Sequence, residues 1–376
     1  MIRAASVRDL ETLLELENRC FDTDRLSRRS FRYLLTKANA ATLVYEEGGA
    51  VRAYAMALFN AGTSLARLYS IAVDPALRGR GVARALVQAL EAAALEADRA
   101  YMRLEVRRDN RGSIGLFKSL GYRPFGTYDD YYEDHMGALR FEKSLAAHPS
   151  PELVRVPYYE QTLEFTCGPA ALMMAMRGLS PELVLDRKLE IRIWRESTTV
   201  FMTSGHGGCG PYGLALSAYH RGFDVELYIS EEGALFVDSV RSEEKKEVIR
   251  VAQEDFSEQV ARLPIPTHYQ RLSVADTRDR FDEGGIPVVL ISSYRIYQEK
   301  FPHWVVVTGF DERFVYVHDP YVDREKGKSV TDCMNMPILL ADFHRMARYG
   351  RSGLRAAVIV SRRPTQNQAP RRGVMR

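Results

Sequence analysis

The sequence predicts two domains: an α/β domain with a mixed central sheet flanked by helices, then an α+β domain with a helical part and an antiparallel sheet. The 376 residues exceed one ordinary core, since domains mostly span roughly 100–150 residues. Strand and helix patterns alternate in the first half, whereas helical patterns precede a group of apolar strands in the second. Pro149 and Pro151 interrupt both patterns and mark the boundary between the two halves. We expect domains over 1–146 and 152–362, a linker over 147–151 and a disordered basic tail over 363–376.

Composition excludes several classes of protein. The net charge of +3 is small for this length, so nucleic acid and anionic membranes are not predicted partners. Four cysteines without framework spacing favour a reducing cytoplasm. No run approaches the roughly 18 apolar residues of a membrane span, and the acidic N-terminal segment is not a signal peptide. We therefore expect a soluble cytoplasmic protein, with its oligomeric state open.

The first domain begins with elements set by simple periodicity. Apolar spacing and turn residues predict a strand at 2–5, a helix at 7–21, a second helix at 27–37 capped by Ser27, a hairpin around Glu47-Gly48-Gly49 and a strand at 65–73. A strand pair around 128–132 and 137–142 should end the domain.

The loop after the strand at 65–73 is the informative part of this domain. It reads DPALRGRGVARAL and leads directly into a long Ala/Leu/Glu helix that ends near residue 97. Glycines at 79 and 81 let successive N–H groups at a helix N-terminus converge on a phosphate. Arg78-x-x-Gly81-x-Ala83 after such a strand resembles the acyl-CoA loop of the GNAT N-acetyltransferase superfamily.

A second segment, YMRLEVRRDNRGSIGLFKSLG from residue 101, strengthens that resemblance, which is nearest to the ribosomal-protein N-terminal acetyltransferases. The resemblance implies acetyl-CoA as cofactor and an amine as acceptor. It implies that Glu105 is a general base and that Asn110 bonds the pantetheine; a solvated strand residue is the alternative for Glu105. It further assigns pantetheine pairing to the backbone of Ile71, Ala72 and Val73, and pyrophosphate binding to Arg78, Gly79, Arg80, Gly81, Val82 and Ala83.

Phe117 departs from the family pattern, because it stands where the family carries a tyrosine general acid. A phenyl ring cannot give a proton to a departing thiolate. Either Tyr122, Tyr131 or Tyr132 replaces it, or solvent supplies the proton, or the domain binds without turnover.

The second domain is predicted to contain a strand at 154–161, a helix after Cys167, helices at 181–196, 214–222 and 242–263, a Gly-rich stretch at 205–213, and strands at 286–292, 303–309 and 314–318. The last two strands are joined by a short turn, so the residues at their ends should lie side by side.

Four residues of this domain form a candidate catalytic set. Cys167 begins a helix, where the macrodipole favours thiolate over thiol. His303 opens a strand and Asp319 follows the next one, so the carboxylate can hold one imidazole nitrogen while the other faces the thiol. Gln161 precedes the cysteine by six residues and can supply an oxyanion donor beside the Cys167 backbone N–H.

The four residues are spaced in a recognisable pattern. It reads Gln-x5-Cys-Gly, followed by His303 136 residues after Cys167 and by Asp319 16 residues after His303. This pattern resembles the double-glycine leader peptidase family of papain-like domains. The competing nucleophile is Cys209, which lacks the upstream glutamine, and the runner-up bases are His206 and His318. These three residues lack the paired spacing of a zinc site, so no metal is predicted.

Together the two resemblances imply a bifunctional enzyme, an acetyl-CoA-dependent N-acetyltransferase joined to a Cys-His-Asp peptidase. Two alternatives stay open. The second domain could be a non-hydrolytic module that presents a peptide to the acetyltransferase, or it could use the same thioacyl chemistry for transfer rather than hydrolysis.

Overall fold

The structure is a computed structural model, and it describes residues 1–145, 152–153, 156–201, 207–237, 240 and 242–363. The chain divides into two compact units, Met1–Ser150 and Pro151–Arg376. The predicted linker and residues 364–376 of the predicted tail lie outside the described residues. Within the described part of the chain, no helix combines the length and the apolar character needed to cross a membrane.

The N-terminal unit is one sheet with helices on it. Its elements are β1 (Ile2–Ala4), α1 (Leu10–Cys20), α2 (Arg28–Thr36), β2 (Ala40–Glu47), β3 (Ala50–Phe59), β4 (Leu65–Val73), α3 (Val82–Glu96), β5 (Tyr101–Arg107), α4 (Arg111–Ser119), β6 (Arg123–Tyr128) and β7 (Ala138–Ser144). The strands run in the order β1-β2-β3-β4-β5-β7-β6, and the pairs are antiparallel except β4 with β5.

Strands β4 and β5 pair over only part of their length. The register joins Leu65 to Tyr101 and ends where Arg67 meets Arg103. On its other side, β4 stays paired with β3 as far as Val73. The two parallel strands therefore separate beyond residue 67, and the backbone of the last residues of β4 has no β5 partner in the described sheet.

The C-terminal unit combines helices with a larger sheet. Its elements are β8 (Glu152–Leu153), α5 (Cys167–Leu179), α6 (Arg187–Ser197), β9 (Thr198–Phe201), β10 (Gly207–Cys209), α7 (Pro211–His220), β11 (Phe223–Ile229), α8 (Glu243–Ala261), β12 (Thr267–His268), α9 (Val274–Asp282), β13 (Ile286–Ser292), α10 (Tyr294–Tyr297), β14 (Pro302–Phe310), β15 (Phe314–His318), α11 (Val330–Cys333), β16 (Met336–Leu339), α12 (Leu340–Met346) and β17 (Ala356–Arg362). The sheet runs β12-β11-β17-β13-β14-β15-β16, with β8 paired to β14 and a separate β9–β10 pair.

Both faces of this sheet are covered by helices. Alternate side chains of each central strand point to opposite faces, so each strand contributes to two cores. In β14, Trp304 and Val306 enter the core that α5 and α7 complete, whereas Val305 and Val307 enter a second core with α9 and α12. Helix α5 lies against β13 and β14, which brings its first residue to the strand that carries His303.

Several sequence predictions differ from the structure. The predicted strand at 154–161 is wrong over 156–161, where the chain is irregular and Gln161 N–H donates to Pro320 O. The helix predicted from 181 begins at Arg187, because Asp186 accepts from Leu189 N–H as its N-cap. Residues 129–132 form a loop after β6 rather than a strand.

Candidate active sites

Cys167 is the first residue of α5, with Thr166 at the N-cap position and the side chain half-buried. The body of the helix is held by a continuous buried run, from Gly168 to Met176. N–H groups at a helix start lack intrahelical acceptors and carry partial positive charge. The fold thus fixes the sulfur at the positive end of a rigid helix.

Gly168 allows α5 to lie close to its neighbours. A Cβ added there would be 3.2 Å from Trp304 Cδ1 and 3.3 Å from Cys209 Cβ and Leu214 Cδ1. A side chain at this position would therefore push the cysteine away from the sheet.

His303 and Asp319 form a buried pair beside this helix. His303 is 1% exposed and Asp319 0%. His303 Nε2 lies 2.6 Å from Asp319 Oδ1, and a hydrogen bond also joins the ring to the Cys167 thiol. Because Nε2 is occupied by the carboxylate, Nδ1 is the nitrogen that faces the sulfur.

The charges of this pair follow from its surroundings. Burial lowers the pKa of His303, but the Asp319 carboxylate and the contact with Cys167 outweigh it and raise the pKa from 6.5 to about 10. Burial likewise raises the pKa of Asp319, but His303 and the Tyr297 hydroxyl bring it below 3.8. At neutral pH the site therefore holds an imidazolium and a carboxylate.

Asp319 is held by groups that the sequence analysis missed. The Tyr297 hydroxyl donates to Oδ2 at 2.5 Å, and Tyr321 N–H donates to Oδ1 at 2.9 Å. Tyr297 is buried on α10, the short helix between β13 and β14. One turn of helix with no motif around it gives no sequence signal for this contact.

Gln161 lies in the loop before α5 and is 8% exposed. Its Nε2 donates to Leu163 O at 2.8 Å, and its Oε1 is buried without a hydrogen-bond partner among the described residues. An amide nitrogen carries two hydrogens, so one N–H stays available after the bond to Leu163. Gln161 also lines an open cavity of about 450 Å³, together with Leu163, Phe165 and Tyr321.

The competing residues are placed differently. Cys209 is buried, and burial raises the pKa of its thiol well above 9.0. His318 is buried, with Nε2 2.9 Å from Val156 O and Nδ1 accepting from Asn335 N–H. Both ring nitrogens are therefore hydrogen-bonded to backbone groups. His206 lies outside the described residues.

In the N-terminal unit, the predicted phosphate loop connects β4 to α3. Gly79 and Gly81 adopt left-handed backbone, with φ of 77° and 80°, and Gly81 is the N-cap of α3. Nothing lies within 4 Å of a Cβ added at either glycine, so the space above the loop is open. Of the loop arginines, Arg80 pairs with Glu47 at 2.8 Å and Arg78 is exposed.

Two more predicted residues lie on the adjacent elements. The edge of β4 at Ile71, Ala72 and Val73 faces the gap left by β5. Asn110 is the N-cap of α4, its Oδ1 accepting from Ser113 N–H at 3.0 Å.

Glu105 lies on β5 with its side chain 4% exposed and paired to Arg67 at 3.0 Å. Its Oε1 is buried and has no hydrogen-bond partner among the described residues. Arg67 also donates to the Tyr131 hydroxyl at 2.7 Å. An unused carboxylate oxygen in a buried site is what an incoming ammonium group requires.

Two of the three tyrosine candidates named with Phe117, Tyr122 and Tyr131, differ in their surroundings. Phe117 is buried against Tyr122, whose hydroxyl donates to the Met102 sulfur at 3.1 Å. Tyr131 instead adjoins Glu105 through Arg67, and burial raises its pKa. Sequence order alone could not separate these two tyrosines.

Comparison with known proteins divides the chain in the same way as the two structural units. Residues 156–361 match the peptidase C39-like family, and residues 10–122 match the acetyltransferase (GNAT) family. The two predicted family resemblances are thereby confirmed, as is the mixed α/β fold class.

Individual relatives resemble part of the chain. A Bacillus subtilis protein, provisionally named a ribosomal protein bS18-alanine N-acetyltransferase, is 27% identical over 36% of this chain and 87% of its own length. The N-alpha-acetyltransferase RimI of Mycobacterium tuberculosis is 38% identical over 17% of this chain and 39% of its own. The crystal structure of the Escherichia coli ribosomal-protein-S18-alanine N-acetyltransferase is similar at 24% identity, with a TM-score of 0.37, covering 40% of this chain and 96% of that one.

Proposed function

The chain belongs to the peptidase C39-like family, and from this premise we propose that its C-terminal unit is a cysteine peptidase that cleaves a peptide or protein. The observation that carries the proposal is the buried pair of His303 and Asp319. His303 Nε2 lies 2.6 Å from Asp319 Oδ1, and the Cys167 thiol is hydrogen-bonded to the same ring. A nucleophile, a base and a group that orients the base are the parts that thiol catalysis needs.

We assign a role to each atom of this arrangement. Asp319 holds Nε2–H, which leaves Nδ1 to exchange a proton with the Cys167 sulfur. The thiolate attacks the scissile carbonyl carbon, a C–S bond forms, and the C=O electron pair moves to oxygen. As the tetrahedral species collapses, the C–N bond breaks and the amine takes the proton from Nδ1. Water, deprotonated by the neutral imidazole, then hydrolyses the thioester.

The negative oxygen of the tetrahedral species requires donors. We assign the remaining Nε2–H of Gln161 and the backbone N–H of Cys167 to this role, because the first is held by its bond to Leu163 and the second is at a helix start. The cavity beside Gln161 is the space for the substrate chain.

The test uses the full chain with a peptide library and mass spectrometric detection of new termini. Cys167→Ala is expected to abolish cleavage, and His303→Ala to reduce it by about 10³-fold or more. Cys20→Ala, in the other unit, is the matched control and should cleave normally. Cleavage that persists in Cys167→Ala would show that another group is responsible.

The N-terminal unit is an acetyltransferase of the GNAT family, and we propose that its acceptor is the α-amine of a peptide or protein. The names of the Bacillus subtilis and Mycobacterium tuberculosis relatives, both N-acetyltransferases, support an amine of this kind. Glu105 Oε1 is the acceptor for the ammonium proton, directly or through water.

The unit fits acetyl-CoA, which supplies the activated acetyl group. The unpaired β4 edge at Ile71, Ala72 and Val73 offers backbone groups to the pantetheine amides. The open loop from Arg78 to Ala83, with its two left-handed glycines and helix start, suits the pyrophosphate. In this arrangement Asn110 caps α4 through Oδ1, so only its amide N–H₂ is left for the pantetheine.

We propose Tyr131 as the acid in place of Phe117. Its oxygen accepts from Arg67 at 2.7 Å, so its own proton is free to be donated, and its raised pKa keeps that proton in place. Tyr131→Phe should lower acetyl transfer to a peptide at least about tenfold with little change in acetyl-CoA affinity. Tyr122→Phe, whose hydroxyl is buried against Met102, is the control. Equal rates in both variants would exclude Tyr131.

The combined proposal is a bifunctional cytoplasmic enzyme. The four cysteines, all free, support a reducing compartment. Cys167→Ala should leave acetylation unchanged while cleavage is lost, measured in one incubation with acetyl-CoA. Loss of both activities would refute this division of labour.

A further inference from the structure

Glu190 is a fully buried carboxylate that the proposed reaction does not use. It lies on α6 with 0% of its surface exposed. Among the described residues, no lysine, arginine or histidine forms an ion pair with it. A buried carboxylate without a cation is unfavourable unless hydrogen bonds replace its hydration. Its hydrogen-bond donors therefore explain why it is tolerated.

In the part of the chain that the structure describes, the four hydrogen bonds that the Glu190 carboxylate accepts all come from the segment 159–166. Oε1 accepts from Thr162 N–H at 2.8 Å and from the Thr166 hydroxyl. Oε2 accepts from the Tyr159 hydroxyl at 2.9 Å and from the Thr162 hydroxyl at 2.7 Å. One carboxylate thus gathers three residues of a loop that has no regular secondary structure of its own.

This loop contains Gln161 and ends at Cys167. Gln161 lies between two of the residues that Glu190 holds, and Thr166 is the N-cap residue directly before the cysteine. The Thr166 hydroxyl does not cap α5; its single proton is shared between Leu163 O and Glu190, which both lie within hydrogen-bond distance. Leu163 O is also the acceptor that fixes the Gln161 amide.

From these contacts we propose that Glu190 is a positioning residue for the oxyanion site, acting through the 159–166 loop and not on the substrate. The inference rests on the proposed peptidase function. Charge-assisted hydrogen bonds are roughly twice as strong as neutral ones, so a carboxylate holds this loop more firmly than an amide would. The loop thereby fixes the Gln161 amide and the start of α5, which carry the two proposed oxyanion donors, whereas the hydrogen bond between His303 and the thiol does not involve Glu190.

Two reagents separate these parts of the site. Iodoacetamide alkylates the thiolate by displacing iodide, and no oxygen becomes negative. A short peptide aldehyde ending in glycinal adds to the thiolate: the C–S bond forms, the C=O pair moves to oxygen, and that oxygen needs the oxyanion donors. Protection of Cys167 from iodoacetamide by the aldehyde therefore reports on the oxyanion site in the full chain.

Glu190→Gln keeps the shape of the side chain but removes its charge and turns one acceptor into a donor. We expect the aldehyde to protect Cys167 about tenfold less well, while the alkylation rate without aldehyde stays within about twofold of wild type. Thr162→Val removes one donor to the same carboxylate and should act in the same direction, more weakly. Glu196→Gln, on the same helix but paired with Arg221, is the matched control and should protect normally.

Unchanged protection in Glu190→Gln and Thr162→Val would overturn the inference. So would a parallel loss of alkylation and protection, because that pattern indicates general disorder of the site, and so would a wild type that the aldehyde does not protect. If the aldehyde protects the wild type and Glu190→Gln weakens that protection, but no peptide is cleaved, the peptidase proposal fails and the role of Glu190 stands.

Discussion

Replacement of Asp319 by Asn tests the electrostatics of the proposed catalytic pair. The substitution keeps the size of the side chain and an acceptor oxygen for His303 Nε2–H, but removes the charge. Raising the pKa of His303 from 6.5 to about 10 corresponds to roughly 5 kcal/mol of preference for the imidazolium, at about 1.4 kcal/mol for each unit of pKa. Asp319 is the largest favourable contributor to that preference, while burial opposes it.

Without the charge of Asp319, the effect of burial on His303 is opposed only by hydrogen bonds and by the interaction with Cys167. We therefore expect the pKa of His303 to fall by at least about two units in Asp319→Asn, so that the neutral fraction of the ring at pH 7 rises from about one in a thousand to about one in ten or more. The assay is a pH titration of the histidine ring signals by NMR in the full chain, with His303 assigned by the signal lost in His303→Gln. Asp323→Asn is the control, since Asp323 pairs with Lys326 and does not contact His303.

The same values fix how stability changes with pH. The pKa of His303 is higher in the folded state, so its contribution to the free energy of unfolding is complete below about pH 6.5 and is lost as the pH rises towards 10. The pKa of Asp319 is lowered, so its contribution is present above about pH 3.8 and is lost as the pH falls further. A wild-type His303 that titrates near 6.5, or a titration unchanged in Asp319→Asn, would refute this account of the site.

Three further predictions concern individual residues. Tyr297→Phe removes the hydroxyl that donates to Asp319 and should lower peptide cleavage about tenfold, with the His303 titration shifted; unchanged cleavage would mean that the contact is only structural. Gly168→Ala should lower the free energy of unfolding by about 1 kcal/mol in a denaturant titration, because its neighbours must move, whereas Gly115→Ala, in open space on α4, should raise it by about 0.5–1 kcal/mol; the opposite order would contradict the packing argument. Glu105→Gln should reduce acetyl transfer about 100-fold with acetyl-CoA affinity retained, and a loss of affinity alone would argue against a base.

Local patterns in the sequence were sufficient for many elements. The predicted strands at 65–73, 286–292 and 314–318 coincide with β4, β13 and β15, because apolar runs bounded by turn residues are local signals. Ser27 is predicted as an N-cap and Ser242 as the start of a helix, and these residues are the N-caps of α2 and α8. In each case the information lies within a few residues of the element.

Local patterns could not predict contacts between elements that are distant in the sequence. Tyr297 and Glu190 contact the loops around Asp319 and Cys167 from other elements, and no spacing relates them to those loops. Strand β17, at the centre of the second sheet, was missed, because AAVIVSR near a basic segment gives only a short apolar run. The predicted strand at 154–161 is wrong over its described part, where Pro157 has no N–H to donate to a ladder and Gln161 N–H donates to Pro320 O.

The distance in sequence between Cys167 and the β14–β15 hairpin also determines when the proposed peptidase could become active during synthesis. Helix α5 is made 136 residues before His303 and 152 residues before Asp319, from the positions 167, 303 and 319. Contacts over such distances form late, because the loop must be closed before they contribute. A ribosome-bound chain that has exposed α5 thus carries a thiol without its base. Under the proposed peptidase function, the chain could cleave neither itself nor its neighbours until the sheet that supplies the base has been completed.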